Sequence, residues 1–240
     1  DGSGALSWAT PASAGASEID DLSDALIEET GSMYVGNDPS STTNGANYNV
    51  AVGTTAMDAI TEGDNNTAVG YNALTSNTAG AGNTALGYET LKNNATTSYN
   101  VAVGNSALEK NVGGYNTAVG NSSLTNKVSG GYNTAIGHTA GNNITSGSDN
   151  VLIGYNTDAS SATPTNQIVI GKGTSGQADN SVTLGNADVT AVYMAQDKGA
   201  TVYTTGISLE NDETITNSTD GTVLINGTVA GGTGSAAGVF

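Results

Sequence analysis

The chain of 240 residues has no cysteine and no arginine, and holds one histidine, one tryptophan, one phenylalanine, three prolines and five lysines. Without cysteine there can be no disulfide, no catalytic thiol and no thiolate metal site. The lone imidazole, His138, is all that a Ser-His-Asp triad could use. Five cations against 22 acidic residues leave a net charge of −17, which opposes binding to nucleic acid or to an anionic membrane surface. No apolar run approaches the roughly 18 residues that a membrane-spanning helix needs. Bulky apolar residues are too scarce to fill a single-copy compact core.

What the chain has instead is repetition. The phrase NTAVGYNAL at 66–74 returns as NTALGYETL at 83–91, NVAVGNSAL at 100–108 and NTAVGNSSL at 116–124. Aligned on its glycine, the repeat places Gly36, Gly53, Gly70, Gly87, Gly104, Gly120, Gly137, Gly154, Gly171 and Gly185 at steps of 17, 17, 17, 17, 16, 17, 17, 17 and 14. A fixed period of this length is the signature of a solenoid, in which each repeat stacks only on its neighbours.

Before each glycine stands a branched apolar residue, and two positions earlier a Val, Thr or Ile, so these two columns share one strand face. Between them runs Ala51, Ala68, Ala85, Ala102, Ala118 and Ala135. A solvent-facing column would carry varied polar residues. The run of Ala predicts that both faces are covered, one by the opposite wall of the coil and the Ala face by another copy of the chain. These six residues are the expected trimer-packing column. A second strand per turn is expected through the segment ending at Met57, Leu74, Leu91, Leu108 and Leu124. Nine to ten turns at ~4.8 Å make a rod of roughly 45 Å. The glycines are expected to end the first strand, where close approach excludes a side chain. Asn49, Asn66, Asn83, Asn100, Asn116, Asn133 and Asn150 are expected to stack amide on amide; simple turn preference is the competing account. The residue missing between Gly104 and Gly120 falls within 109–115, in a turn, because turns absorb length changes and strands do not.

The copies NQIVIG (166–171) and NSVTLG (180–185) resemble the head repeat of trimeric autotransporter adhesins. That resemblance implies a left-handed parallel β-roll in an intertwined homotrimer. The longer variant YNVAVGNSAL, with the flanks SGALSWATP (3–11), IDDLSDAL (19–26) and LGNADVTAVYMAQDKGATVY (184–203), is similar to marine bacteriophage tail-fibre proteins. The expected fold is therefore all-β: a solenoid over 32–189, an N-terminal connector over 1–31 and a small β-rich trimeric module with its tail over 190–240. Within the connector, 17–29 reads as a short helix capped by Ser17 or as an extended linker. Within the module, 213–217 and 221–229 alternate as strands.

Chemistry is sparse. His138 follows a repeat glycine, in a slot that elsewhere holds Tyr71, Tyr88, Asn105 or Asn121, and reads as an exposed histidine. The clusters Asp20/Asp21/Asp24 and Glu210/Asp212/Glu213 lack calcium-loop spacing and read as solvated charge. Sequons at Asn65, Asn94, Asn121, Asn143, Asn217 and Asn226 follow from an Asn/Thr-rich composition. Tyr71, Tyr88 and Tyr155 form either an aromatic stripe for sugars or packing between turns. A Thr array suited to ice is interrupted by Val50, Val101 and Val151. No catalytic, metal or cofactor site is expected. The expected role is a non-enzymatic, structural and adhesive fibre segment on a virion or other extracellular surface. Its expected partners are itself, neighbouring fibre subunits and a host-surface glycan or protein. The alternative is a cellular surface filament or adhesin built end to end.

Overall fold

Seventeen residues make one coil: a three-residue strand, a glycine, a run of tight turns and a return to the next strand. The computed structural model describes residues 31–36, 45–127 and 129–192, together with the backbone of 25–27. The strands are β1 (Ala25–Ile27), β2 (Met33–Val35), β3 (Val50–Val52), β4 (Thr67–Val69), β5 (Thr84–Leu86), β6 (Val101–Val103), β7 (Thr117–Val119), β8 (Thr134–Ile136), β9 (Val151–Ile153), β10 (Gln167–Ile170) and β11 (Ser181–Leu184). They form one sheet in sequence order. From β2 to β11 every pairing is parallel and in register, for instance Ala68 with Ala85 and Ala85 with Ala102. The result is a parallel β-solenoid of about eight turns, with no helix among the described residues. The count falls short of nine to ten because the turn after Gly36 crosses residues outside the description and Gly185 closes a turn instead of opening one.

At the N-terminal edge β1 pairs antiparallel with β2, Leu26 opposite Tyr34. Residues 25–27 are therefore strand and not the end of a helix. Backbone pairing with the otherwise open edge of β2 outcompetes the local helical pattern, and it covers a template for unwanted strand addition. The rest of the proposed helix lies outside the described residues. The chain divides into units of residues 1–192 and 193–240; the strands expected at 213–217 and 221–229 lie outside the described residues.

The second strand of each coil is absent. In its place Met57, Leu74, Leu91, Leu108 and Leu124 adopt positive φ, between 49° and 52°, a conformation uncommon for residues with a Cβ. Coil-to-coil bonds nevertheless persist there, with Leu74 N–H donating to Thr90 O at 3.0 Å and Leu91 N–H to Ala107 O at 3.1 Å. The left-handed residue turns the chain back while aiming its side chain inward, where all five are fully buried. Stacking of identical turns holds a conformation that one isolated turn would not keep.

The repeat glycines sit where coils touch backbone to backbone. Gly104 has φ 131°, and a Cβ on it would lie 2.4 Å from Gly120 O. Both the conformation and the space exclude a side chain.

The interior has an apolar and a polar half. Ala51, Ala68, Ala85, Ala102, Ala118 and Ala135 point inward and are buried to 1% exposure or less within a single chain, in the cluster that contains the Leu column. This corrects their assignment to a trimer interface. A coil of this size has no room for two large walls, so Ala on the strand admits Leu from the turn opposite. The outward residues are their strand neighbours on either side.

Candidate interaction face and polar interior

Turning the Ala column inward turns the two apolar columns out. The first is Val50, Thr67, Thr84, Val101, Thr117, Thr134, Val151, Ile168 and Val182; the second is Val52, Val69, Leu86, Val103, Val119, Ile136, Ile153, Ile170 and Leu184. None of these residues is charged, and none is buried. Leu86 is 48% exposed, Ile136 41% and Leu184 46%. Nine strands at ~4.8 Å make this face about 40 Å long, and two columns across give an uncharged patch on the order of 500 Å², apolar except at Thr67, Thr84, Thr117 and Thr134. A patch of this size is at the upper end of what a monomer's surface carries, and such patches are often functional.

Aromatic columns border the face. After the repeat glycine, Tyr71 stacks on Tyr88 with centroids 5.4 Å apart, and His138 on Tyr155 at 5.4 Å. Ring faces are thus occupied by neighbouring coils, which favours packing over a sugar-binding stripe. His138 is exposed and belongs to this column. On the other border Tyr99, Tyr115 and Tyr132 stack in turn. This second column was legible as the recurring pair Tyr-Asn at 48–49, 99–100, 115–116 and 132–133, but the sequence reading did not single it out.

The Asn column is a continuous buried ladder. The Oδ1 of Asn49 accepts from Asn66 N–H at 2.8 Å, that of Asn66 from Asn83 N–H at 2.9 Å, and that of Asn83 from Asn100 N–H at 3.0 Å. The pattern continues through Asn116, Asn133 and Asn150 and ends on Gln167 N–H at 3.0 Å. Each Nδ2 is also occupied: Asn49 donates to Gly63 O at 2.7 Å and Asn66 to Gly80 O at 2.8 Å, across the coil. All seven Asn residues are fully buried, so their amides replace water for backbone groups that no strand pairs.

A second interior column, seven residues after the repeat glycine, escaped the sequence reading. It runs Ile60, Asn77, Asn94, Asn111, Lys127 and Ile144, all fully buried. Asn77 and Asn94 donate to the carbonyl three residues on, at 2.9 and 2.8 Å, whereas Asn111 donates to Gly113 O, two residues on, at 2.6 Å. The missing residue of the short repeat is therefore in the turn 111–113, inside the interval marked by the alignment. Lys127 places an amine where Asn77, Asn94 and Asn111 have amides and Ile60 and Ile144 have apolar side chains. Its Nζ donates to Gly147 O at 2.9 Å, and burial lowers its pKa from 10.5 to about 8.

Most other ionisable groups among the described residues lie on the surface, Tyr34 being buried and Asp158 half-buried. Glu89 is paired with Lys92 at 2.7 Å, which holds its carboxyl below the usual range. The nearby Glu89 charge raises the pKa of Tyr88. Burial raises Asp158, partly offset by the backbone N–H of Asn143. Among the described residues no group of three or more His, Cys, Asp or Glu is placed to hold a metal, and no helix is long and apolar enough to cross a membrane. The two acidic clusters marked in the sequence lie outside the described residues. Of the sequons, Asn65 and Asn121 are exposed, while Asn94 is fully buried.

No family model, no curated protein and no solved structure matches the chain.

Proposed function

We propose that this chain is a structural, adhesive fibre segment that works as a homotrimer, of the kind found in phage tail fibres. The observation that carries the reading is the uncharged outward face of β3–β11, unbroken along the rod. A net charge of −17 would drive copies apart wherever acidic residues met, and this face has none. Three rods sharing it would bury apolar surface worth about 25 cal/mol per Å². The left-handed, intertwined form follows from the likeness of NQIVIG and NSVTLG to adhesin-head repeats. The work is mechanical: a stiff spacer between particle and host surface, with attachment to a glycan or protein made by the fibre. The reading is non-enzymatic and places the chain on a virion or other extracellular surface.

Light scattering on the purified chain tests the assembly, with three copies expected. The double variant Val103→Glu, Val119→Glu should dissociate the trimer into folded monomers, because it charges only the outward face. Ala102→Glu should unfold the chain itself, since that side chain points into the coil. A wild-type chain that is monomeric and folded at micromolar concentration would refute the trimer. Electron microscopy of the source material, showing virion fibres or cell-borne filaments, tests the setting.

A further inference from the structure

Tyr99, Tyr115 and Tyr132 precede the ladder Asn on three consecutive coils. Their rings stack with centroids 5.1 Å apart at 25° for the first pair and 5.0 Å at 10° for the second. The register imposes this contact. A coil repeat of ~4.8 Å is close to the stacking distance of aromatic rings, and a φ of 59° to 61° at all three aims the side chains alike. The rings remain 56%, 51% and 62% exposed, so their faces cover each other while their edges stay open to solvent.

Phenols held in this way are set up for radical coupling. A one-electron oxidant removes an electron and the hydroxyl proton from each of two rings. A carbon–carbon bond forms between their ortho carbons, and each ortho hydrogen shifts to the phenolic oxygen, restoring aromaticity. The product, dityrosine, has lost two hydrogens, and hydrogen peroxide accepts those two electrons and two protons to give water. Rings already in contact couple without a diffusional search. We propose that the Tyr99–Tyr115–Tyr132 ladder is an oxidative cross-linking site, at which a peroxide-driven haem oxidant joins rings of adjacent coils as dityrosine.

Tyr115 is the centre of the site because it has a ring on each side. The Tyr71–Tyr88 pair is wider, at 5.4 Å, and has the charge of Glu89 beside Tyr88. Tyr48 packs its ring over Gly31 and stacks on no other ring among the described residues. A bond between Tyr115 and Tyr132 would close a loop between neighbouring coils, a covalent staple in a chain that has no cysteine to make one.

The test treats the full chain with a haem peroxidase and limiting hydrogen peroxide, then reads dityrosine fluorescence, intact mass and cross-linked peptides. Expected is a single-chain species lighter by two hydrogens, with Tyr115 joined to Tyr99 or Tyr132. Tyr115→Phe keeps the ring stack but removes the phenol, and should lower the yield several-fold. Tyr48→Phe should leave it unchanged. Cross-links only between chains, an equal loss in Tyr48→Phe, or peptides that map to other tyrosines alone would overturn the proposal, and the wild-type peptide map decides it even if a variant fails to fold.

Discussion

Lys127 offers the sharpest test of the coil interior. Its ammonium is fully buried with one acceptor, Gly147 O, and that carbonyl is also held by Asn133 Nδ2 at 2.9 Å. Lowering its pKa from 10.5 to about 8 corresponds to about 3 kcal/mol against the charged form, at about 1.4 kcal/mol per tenfold. Lys127→Met removes that penalty and preserves the side-chain length, and Gly147 O keeps its second donor. Against this stands the loss of one charge-assisted hydrogen bond, about 1.5 kcal/mol. The expected net is a stabilisation of about 1–2 kcal/mol near pH 7, or a rise in melting temperature of about 3–6 °C for a chain of this size. The sign with pH follows from linkage. Below about pH 8 the amine is charged in both folded and unfolded chains, and the wild type carries the full penalty. Between about 8 and 10.5 the unfolded chain binds more protons, so wild-type stability rises with pH and the advantage of Met shrinks. Thermal unfolding of both proteins near pH 7 and near pH 10 measures this. A variant that melts below the wild type near pH 7, or a difference that stays constant across the window, would refute the buried, desolvated amine.

Three further outcomes follow from the same geometry. Gly104→Ala would bring a Cβ to 2.4 Å from Gly120 O, whereas Gly173 at φ 60° has nothing within 4 Å; the first should cost several kcal/mol in chemical unfolding and the second about 1 kcal/mol. Asn100→Ala removes the acceptor of Asn116 N–H and one of the two donors to Asn83 Oδ1, leaving a buried backbone N–H unpaired beside a small void, so a loss of about 2–4 kcal/mol is expected in the same assay. Inserting one Gly between Val112 and Gly113 restores the span of the neighbouring turns and should leave melting within a few degrees of wild type. Inserting one Ala between Ala118 and Val119 reverses the faces of β7 and should lower melting sharply, as read by circular dichroism.

The period, the parallel stacking and the glycine contacts were legible from the sequence alone, because in-register repetition puts like residues on like residues whatever the coil's cross-section. The Asn ladder was legible for the same reason. Alternation along β3–β8 also showed that two faces exist, one lined by Ala and one by Val, Thr, Leu and Ile. Which face is interior was a different matter. It depends on the opposite wall, where Leu74, Leu91, Leu108 and Leu124 enter from left-handed turns that no propensity favours. Only closure of the coil shows that this wall fills the space and leaves room for nothing larger than Ala across from it. Lys127 was invisible for a related reason: its column is defined by stacking within turns of mixed composition, and a lysine in a polar stretch reads as solvated until the coils close over it. Periodicity is a property of the chain and survives in one dimension, but inside and outside are properties of a closed volume, set by how much side chain each wall brings to it.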